Sequence, residues 1–258
     1  MSPGGEMDID SAARYETYLE RVGTGLVSLR DRVAEACRRA SRSPDGVEIV
    51  AVSKFHPAEA VEAAIACGID RFAESRVQEA EEKFAIVGEK RSRPRLDLIG
   101  HLQGNKAKRA LLLFDRIQSI DSIELLETLV GRMACRAEGN RPLPIEILFE
   151  LHTAEDSKGG FPDGDAVRRA CDFMAGLPPD SALIPRGLMT MAPLGRDEGA
   201  IRSSFAMLRS LRAAIASEYA FTGFDVLSMG MSGDFELAVE EGATEIRIGT
   251  ALFGERLA

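Results

Sequence analysis

The chain has 258 residues, of which 45 % are apolar, and its 41 acidic and 32 basic side chains give a formal net charge of −9. This composition can bury a sizeable core, which excludes global disorder, and the acidic balance argues against a general nucleic-acid binder. No apolar run approaches the roughly 18 residues of a membrane span, and the first residues lack the basic and apolar regions of a secretory signal, so a cytoplasmic protein is expected.

The first predicted element is a long amphipathic helix over Ala12–Arg42. Its apolar residues recur at the spacing of one helical stripe, and they are Leu19, Val22, Leu26, Leu29 and Val33. Gly23 and Gly25 weaken the helix by about 1 kcal/mol each relative to alanine. The turn residues of Ser43–Gly46 end it.

Eight short apolar runs then alternate with helical stretches. The predicted strands are Val47–Ser53, Arg71–Ala73, Leu96–Ile99, Arg116–Ser119, Ile145–Leu151, Ile184–Met189, Asp225–Ser228 and Glu245–Ile248. The predicted helices are Pro57–Cys67, Val77–Val87, Asn105–Leu113, Ser122–Glu138, Asp165–Leu177, Glu198–Tyr219 and Phe235–Glu241, with a short tail at Ala251–Leu257. Continuous apolar runs are typical of parallel strands covered on both faces. The alternation therefore predicts an α/β protein with one domain over 1–258, a single (β/α)8 TIM-type barrel over 47–258 behind the extra N-terminal helix. A doubly wound open sheet is the alternative.

One lysine is singled out by its position at the end of a predicted strand. The sequence has only six lysines among 32 basic residues, and Lys54 directly follows the first strand, where barrels carry their functional groups. The other lysines are expected on helix surfaces or in loops, and Lys158, after the fifth strand, is the rival. A lysine in a partly dry barrel mouth can act as an amine nucleophile and form a Schiff base. A solvated lysine at the rim is the alternative.

Glycine- and hydroxyl-rich segments follow the seventh and eighth predicted strands. The first contains Ser232, Gly233 and Asp234, and the second contains Gly249 and Thr250. Barrels commonly bind phosphate at these two loops, and glycine lets the backbone approach the anion closely. Asp234 is expected to start the following helix rather than to contact an anion. Two ordinary turns are the alternative for each segment taken alone.

An arginine on the last strand completes the candidate site. Arg247 lies two residues before Gly249, so both point to the same face, and a buried arginine needs an acceptor. A carboxylate across the barrel or a ring nitrogen of a ligand would serve. A lysine amine, two turns that can bind phosphate and a buried arginine together suit two kinds of ligand. These are pyridoxal 5′-phosphate (PLP) and a phosphorylated sugar in an aldolase. No metal site is predicted, because His56, His101 and His152 lack metal-ligand spacing, and neither a zinc site nor a disulfide framework is predicted from the widely spaced cysteines, Cys37, Cys67, Cys135 and Cys171.

Several segments of the sequence, occurring in the same order along the chain, resemble those of the YggS/PROSC-type PLP-binding proteins, also called PLP homeostasis proteins. The resemblance runs from about Val47 to the C-terminus. The matching segments are Ala51-Val-Ser-Lys54 with Pro57, Val77-Gln-Glu79, Ile99-Gly100-x-Leu102-Gln103-x-Asn105-Lys106, Ser157-Lys158-x-Gly160, Gly187-Leu-Met189, Leu227-Ser-Met-Gly230-Met-Ser232, and Arg247-Ile-Gly249-Thr250 with Phe253-Gly254.

The resemblance implies a barrel similar to the N-terminal domain of alanine racemase, with PLP held as a Schiff base on Lys54. It implies phosphate contacts from the turns after the last two strands, with Arg247 facing the pyridine nitrogen. Arginine favours the neutral nitrogen and makes PLP a weak electron sink. The implied cofactor-binding residues are Lys54, Ser75, Met231, Ser232, Gly233, Arg247, Gly249 and Thr250.

The sequence departs from the family in the segment after the second strand. The usual Gly-Glu-Asn is Ala73-Glu74-Ser75 here, and the family's asparagine lies beside the cofactor. Serine is shorter, so its contact is lost, remade directly or remade through water. His101 stands where the family often has proline, and Phe55 with His56 is also atypical.

Three functions remain open at this stage: a PLP carrier without catalysis, an amino-acid racemase, and a Schiff-base aldolase. A two-base racemase needs a second acid–base group, supplied in alanine racemase by a tyrosine of the other subunit. Tyr15, Tyr18 and Tyr219 all fall in helical segments, and the chain ends just after the eighth strand. An aldolase needs a carboxylate near Lys54, and Glu74 is the nearest candidate. We therefore expect a monomeric, non-catalytic carrier that serves PLP-dependent apo-enzymes and binds neither nucleic acid nor membrane.

Overall fold

Eight parallel strands close into a barrel in this computed structural model, which describes residues 9–90, 93–138, 141–153, 159–178, 181–193, 195 and 197–255. The barrel strands are β1 Glu48–Val52, β2 Arg71–Glu74, β3 Arg95–Leu98, β4 Arg116–Ile120, β7 Ile145–Glu150, β8 Leu183–Met189, β9 Val226–Ser228 and β10 Glu245–Ile248. Two short strands, β5 Ala137–Glu138 and β6 Arg141–Pro142, lie outside the barrel. The barrel order is β1-β2-β3-β4-β7-β8-β9-β10, closing back on β1. The predicted barrel is confirmed, and the open sheet is excluded.

The helices cover the outside of the barrel. They are α1 Ile9–Arg39, α2 Ala58–Ala66, α3 Val77–Lys90, α4 Ala107–Leu113, α5 Ile123–Arg132, α6 Gly164–Ala175, α7 Glu198–Glu218, α8 Phe235–Glu240 and α9 Thr250–Phe253. Three of them start where a short polar side chain caps a free amide: Ser122 accepts from Leu125, Asp163 from Ala166, and Asp197 from Ala200. Within the described residues, no helix combines the length and apolarity needed to cross a membrane.

The predicted helix over Ser122–Glu138 is wrong in its second half. Helix α5 ends at Arg132, a 3₁₀ turn follows over Met133–Arg136, and β5 pairs antiparallel with β6. The Gly-Asn pair of the sequence between these two short strands is a hairpin signal that helical periodicity alone passed over.

The first and last strands of the chain form the seam that closes the barrel. Val50 pairs with Arg247, and Ala51 pairs with Ile248. The residues that follow β1 and β10 therefore emerge side by side at the barrel mouth, the end formed by the carboxyl ends of the strands. This seam brings Lys54 and the Gly249–Thr250 segment to one place.

Helix α1 lies over that seam and packs against α2, α8 and α9. A Cβ at Gly25 would lie only 2.9 Å from the carbonyl oxygen of Ala251, so glycine is needed where the two helices approach. The glycine that weakens the isolated helix thus allows its docking. Tyr18 anchors the same face, since its hydroxyl lies 3.0 Å from His56 Nδ1 and its ring packs edge-on against Phe253.

Candidate functional site

Lys54 follows β1 at the barrel mouth, where its side chain is exposed. The described residues offer its amine no hydrogen bond or ion pair. Of the two alternatives left open from the sequence, a partly dry lysine and a solvated lysine at the rim, the described residues match the solvated one. Phe55, the next residue, has a φ of 67°, a conformation that a bulky residue adopts only when its surroundings impose it. Its amide donates to Glu79 Oε1 at 2.5 Å, which holds this turn in place. Lys54 therefore projects from a fixed backbone.

A second lysine lies behind this turn, contrary to the expectation that the remaining lysines lie on the surface. Lys83 is 7 % exposed, and its Nζ donates to the Ser53 carbonyl at 2.7 Å and to Glu74 Oε1 at 2.6 Å. Ser53 Oγ donates to the same carboxylate oxygen at 2.8 Å. Burial raises the pKa of Glu74, and Lys83 opposes that shift. Because Glu74 is engaged by Lys83 and Ser53, its geometry supports a structural role rather than the proton shuttle of an aldolase.

The two segments predicted to hold phosphate are joined directly. Ser232 Oγ accepts a hydrogen bond of 3.2 Å from the amide of Ala251, the second residue of α9. The Cβ position of Gly249 lies 3.4 Å from the carbonyl of Val52, so this segment abuts the end of β1. Thr250 is exposed beside it. We call Ser232, Gly233, Gly249 and Thr250 the phosphate turns.

The loop after β9 is shaped by a glycine and an aspartate. Gly230 has a φ of +94°, and a Cβ there would lie 2.6 Å from Ala238 Cβ. Asp234 Oδ1 accepts from the Met231 amide at 2.6 Å instead of capping α8 through its side chain. Gly233 is exposed with open space around its Cβ position. Asp234 therefore fixes the loop from within, at the position that starts α8, as predicted.

Arg247 lies beneath the phosphate turns, inside the barrel, and is 3 % exposed. Its Nη1 donates to Ser228 Oγ at 2.8 Å, and its Nη2 donates to the Thr190 carbonyl at 2.7 Å. The acceptors are thus a hydroxyl and a carbonyl, neither of the two types considered from the sequence. Burial lowers the pKa of Arg247, and nearby carboxylates, Glu150 among them, oppose this shift.

Titratable groups at the barrel mouth that the sequence analysis missed come from β7 and from the loops after β3 and β4. Glu150 ends β7, is 5 % exposed, and burial raises its pKa to about 7. Arg247 and His101 lower that pKa, while Asp121 raises it. His101 Nδ1 lies 2.7 Å from Asp121 Oδ2. The signal for Glu150 was a carboxylate at the carboxyl end of an apolar strand.

Two further predicted positions receive less support from contacts. Ser75 is half-buried after β2, and its carbonyl oxygen lies 2.2 Å from the Cβ position of Gly100, which explains the glycine there. No hydrogen bond joins its hydroxyl to another described residue, so its ligand contact stays a prediction. Lys158 lies outside the described residues. Within the described part of the chain, no group of three or more His, Cys, Asp or Glu side chains is placed to hold a metal ion.

Comparison with known proteins identifies the family. The model of the alanine racemase N-terminal domain matches residues 26–257. The pyridoxal phosphate homeostasis protein of Aquifex aeolicus is 35 % identical over 236 residues, covering 90 % of this chain and 96 % of the relative. That of Escherichia coli K12 is 34 % identical over 244 residues, covering 91 % and 97 %.

Solved structures agree with these relatives. PipY of Synechococcus elongatus PCC7942, solved with PLP bound, has 36 % identity and a TM-score of 0.76, covering 90 % of this chain and 100 % of PipY. Alanine racemase from E. faecalis shares the fold at 16 % identity with a TM-score of 0.62, covering 88 % of this chain and 57 % of the racemase. The resemblance inferred from the motifs is confirmed: the chain belongs to the pyridoxal phosphate homeostasis protein family and is built on the alanine racemase N-terminal domain.

Proposed function

We propose that this protein binds PLP at the barrel mouth and acts in intracellular PLP homeostasis by holding and delivering the cofactor. The donor set fits three of the polar groups of PLP. The Lys54 amine suits its aldehyde, the phosphate turns with the neighbouring Met231 suit its phosphate, and Arg247 suits its ring nitrogen. Ser75 is proposed as a contact beside the ring. When bound, PLP supplies a reactive aldehyde and an electron-withdrawing ring.

The observation that carries this proposal is the meeting of Lys54 with the phosphate turns across the β1–β10 seam. Lys54 comes from the start of the barrel and Thr250 from its end, yet the pairing of Ala51 with Ile248 makes their loops neighbours. The amine lacks a partner among the described residues while Lys83, close behind it, has several. A ligand that carries a phosphate and bonds covalently to the protein requires a lysine amine that is available to react and, beside it, turns that can bind the phosphate.

Arg247 supports a holding role rather than turnover of amino acids. A guanidinium stays protonated, so Arg247 would donate to the ring nitrogen of bound PLP and disfavour protonation of that atom. The ring then withdraws electrons weakly. Two of the three tyrosines are engaged elsewhere among the described residues: Tyr18 lies against His56 under α1, and Tyr219 donates to Asp172 on α6. This supports a site without a tyrosine as second acid–base group. We accordingly propose a non-catalytic, cytoplasmic, monomeric protein of one domain over residues 1–258 that supplies PLP-dependent apo-enzymes.

The covalent attachment is tested by the visible spectrum of the purified protein before and after borohydride reduction. We expect an absorbance band that shifts on reduction, and a PLP adduct that peptide mass spectrometry maps to Lys54. Lys54→Ala should abolish both. Lys106→Ala is the matched control, because Lys106 lies in the turn after β3 and its Nζ donates to Gln78 Oε1 of α3 at 2.8 Å. An adduct on Lys158 with none on Lys54 would overturn the assignment.

The absence of catalysis is tested by incubating the PLP-loaded protein with single enantiomers of common amino acids. We expect no racemisation above the level of the Lys54→Ala protein. Sustained racemisation of alanine by the wild-type protein alone would favour the racemase function instead. Chiral chromatography of the amino acid measures it.

A further inference from the structure

A buried polar chain leads down the barrel from Arg247 and centres on Gln118 of β4. Gln118 is fully buried, and its Nε2 donates to Asp97 Oδ2 at 2.6 Å and to Glu245 Oε1 at 3.0 Å. Arg116 Nη1 donates to the other oxygen of Glu245, so both oxygens of this carboxyl group act as acceptors. The amide nitrogen of Gln118 must therefore face Glu245, and its orientation is fixed.

This orientation determines every hydrogen bond above it. With its nitrogen turned to the carboxylates, Gln118 presents Oε1 to Ser228 Oγ at 2.6 Å. The Ser228 hydroxyl must donate its only proton there, so its oxygen is left to accept from Arg247 Nη1 at 2.8 Å. The order of donation is thus Arg247 to Ser228, Ser228 to Gln118, and Gln118 to the two carboxylates.

We propose that Gln118 is a positioning residue for the cofactor, although it lies two hydrogen bonds below Arg247. By fixing the proton of Ser228, it makes the serine oxygen an acceptor and holds the guanidinium in one direction. The Thr190 carbonyl fixes Arg247 Nη2 at 2.7 Å, so the two restraints together set the plane of the group. The inference rests on the proposed function, because it concerns how Arg247 meets the ring nitrogen of PLP.

The lower end of the chain is rigid enough to serve as an anchor. Arg116 Nε donates to Glu146 Oε2 of β7 at 2.7 Å. The arginine that contacts Glu245 is therefore itself fixed by a carboxylate of another strand. Gln118, Ser228 and Arg247 belong to β4, β9 and β10, and each is 3 % exposed or less. Water therefore has little access to replace a lost side chain in this series of hydrogen bonds, so removing one of them changes the hydrogen bonding of Arg247.

The test compares Gln118→Leu and Ser228→Ala with Ser119→Ala. Ser119 adjoins Gln118 on β4 and is equally buried, but it takes no part in this series of hydrogen bonds, because its hydroxyl donates to the Gly100 carbonyl at 2.7 Å. Each protein is titrated with PLP, and bound PLP labelled with ¹⁵N at the pyridine nitrogen is examined by NMR. Loss of one orienting bond to a charged group predicts an affinity for PLP about tenfold weaker in the first two variants. Their ¹⁵N resonance should shift, while both quantities stay at wild-type values in Ser119→Ala.

The outcomes separate the positioning role from a structural one. If Gln118→Leu does not fold, Ser228→Ala decides, since it removes one hydroxyl and leaves Gln118 with its carboxylates. Unchanged affinity and unchanged ¹⁵N resonance in a folded variant, even one with a lowered melting temperature, overturn the positioning role and leave PLP binding intact. A wild-type protein that does not bind PLP overturns the proposed function and the inference together. Equal changes in Ser119→Ala would overturn the inference alone.

Discussion

The two ends of the barrel interior are both polar, but they use polar groups differently. At the end opposite the mouth, Arg71 and Arg116 are 3 % exposed and lie among carboxylates that neutralise them. Arg71 Nη1 lies 2.6 Å from Glu48 Oε2, and Arg116 Nη1 contacts Glu245. At the mouth, Lys54 has no partner among the described residues, and Arg247 donates to a hydroxyl and a carbonyl.

The difference separates groups that hold the fold from groups that are available to a ligand. Charges at the closed end satisfy one another, so their loss should chiefly cost stability, and any effect on ligand binding should pass through Gln118 and Ser228. Lys54, which is exposed at the mouth, should show the reverse pattern. Barrels in general carry function at the carboxyl ends of their strands and stability at the other end. The experiments below are arranged by the size of the change that this division predicts.

The largest effect is expected from Arg116→Met at the closed end. Removing this guanidinium leaves Glu245 and Glu146 without their main cation, and breaking a buried ion pair costs about 3–5 kcal/mol. Urea unfolding measures the loss of unfolding free energy. Arg95→Met is the control, since Arg95 lies at the same end with 52 % of its side chain exposed and pairs with Glu48 at 2.8 Å. That variant should lose less than about 1 kcal/mol. If Arg116→Met and Arg95→Met lost the same unfolding free energy, buried and exposed charges at this end of the barrel would contribute equally to stability.

A smaller, pH-dependent effect is expected from Glu150→Gln. Burial raises the pKa of Glu150 to about 7, so between the ordinary glutamate pKa and about pH 7 the folded state holds a proton that the unfolded state has lost. Stability from this group therefore falls as the pH rises through that window.

The comparison is the unfolding free energy of wild type and Glu150→Gln at pH 5.0 and pH 7.5, where the wild-type protein should lose roughly 1–3 kcal/mol more than the variant. The neutral amide removes the titration, and the buried Asp97, whose pKa burial also raises, contributes equally to both proteins. Parallel pH profiles would show that Glu150 does not titrate in this range.

The smallest effect on stability is expected from Lys54→Met. An exposed side chain without a partner contributes little to folding, so the free energy of unfolding of the PLP-free protein should change by less than about 0.5 kcal/mol. Calorimetry or urea unfolding of protein stripped of PLP measures it. A loss comparable to that of Arg116→Met would mean that the lysine stabilises the fold, and the contrast between the two barrel ends would fail.

Local pattern was sufficient for the eight barrel strands, for most helices and for the position of Lys54 at a strand end, but not for the short β5–β6 hairpin. Apolar runs identify strands, and a strand end identifies the mouth, because both are properties of neighbouring residues. The helix over Ser122–Glu138 failed in its second half because a turn signal competed with periodicity.

Pairings across strands were not predictable. The partners of Arg247 come from β9 and from the residue after β8, and which residues face it depends on how the strands are staggered around the barrel. Lys83 was missed for the same reason, since Glu74 and Ser53 lie on β2 and just after β1. Gln118 had no local signal, because the sequence of a short strand that mixes polar and apolar residues reveals neither the neighbours of Gln118 across the barrel nor their charge.

The β1–β10 seam also sets when the site comes into existence during synthesis. Helix α1, β1 and Lys54 leave the ribosome first, whereas β10, α9 and Thr250 leave it last. The most distant parts of the sequence must therefore pair before the barrel closes, a topology that folds slowly and late. Until then the apolar face of α1 has neither α8 nor α9 to cover it. A chain that lacks β10 and α9 carries Lys54 without Gly249 and Thr250, so at the proposed site PLP binding would require β1 and β10 to have paired.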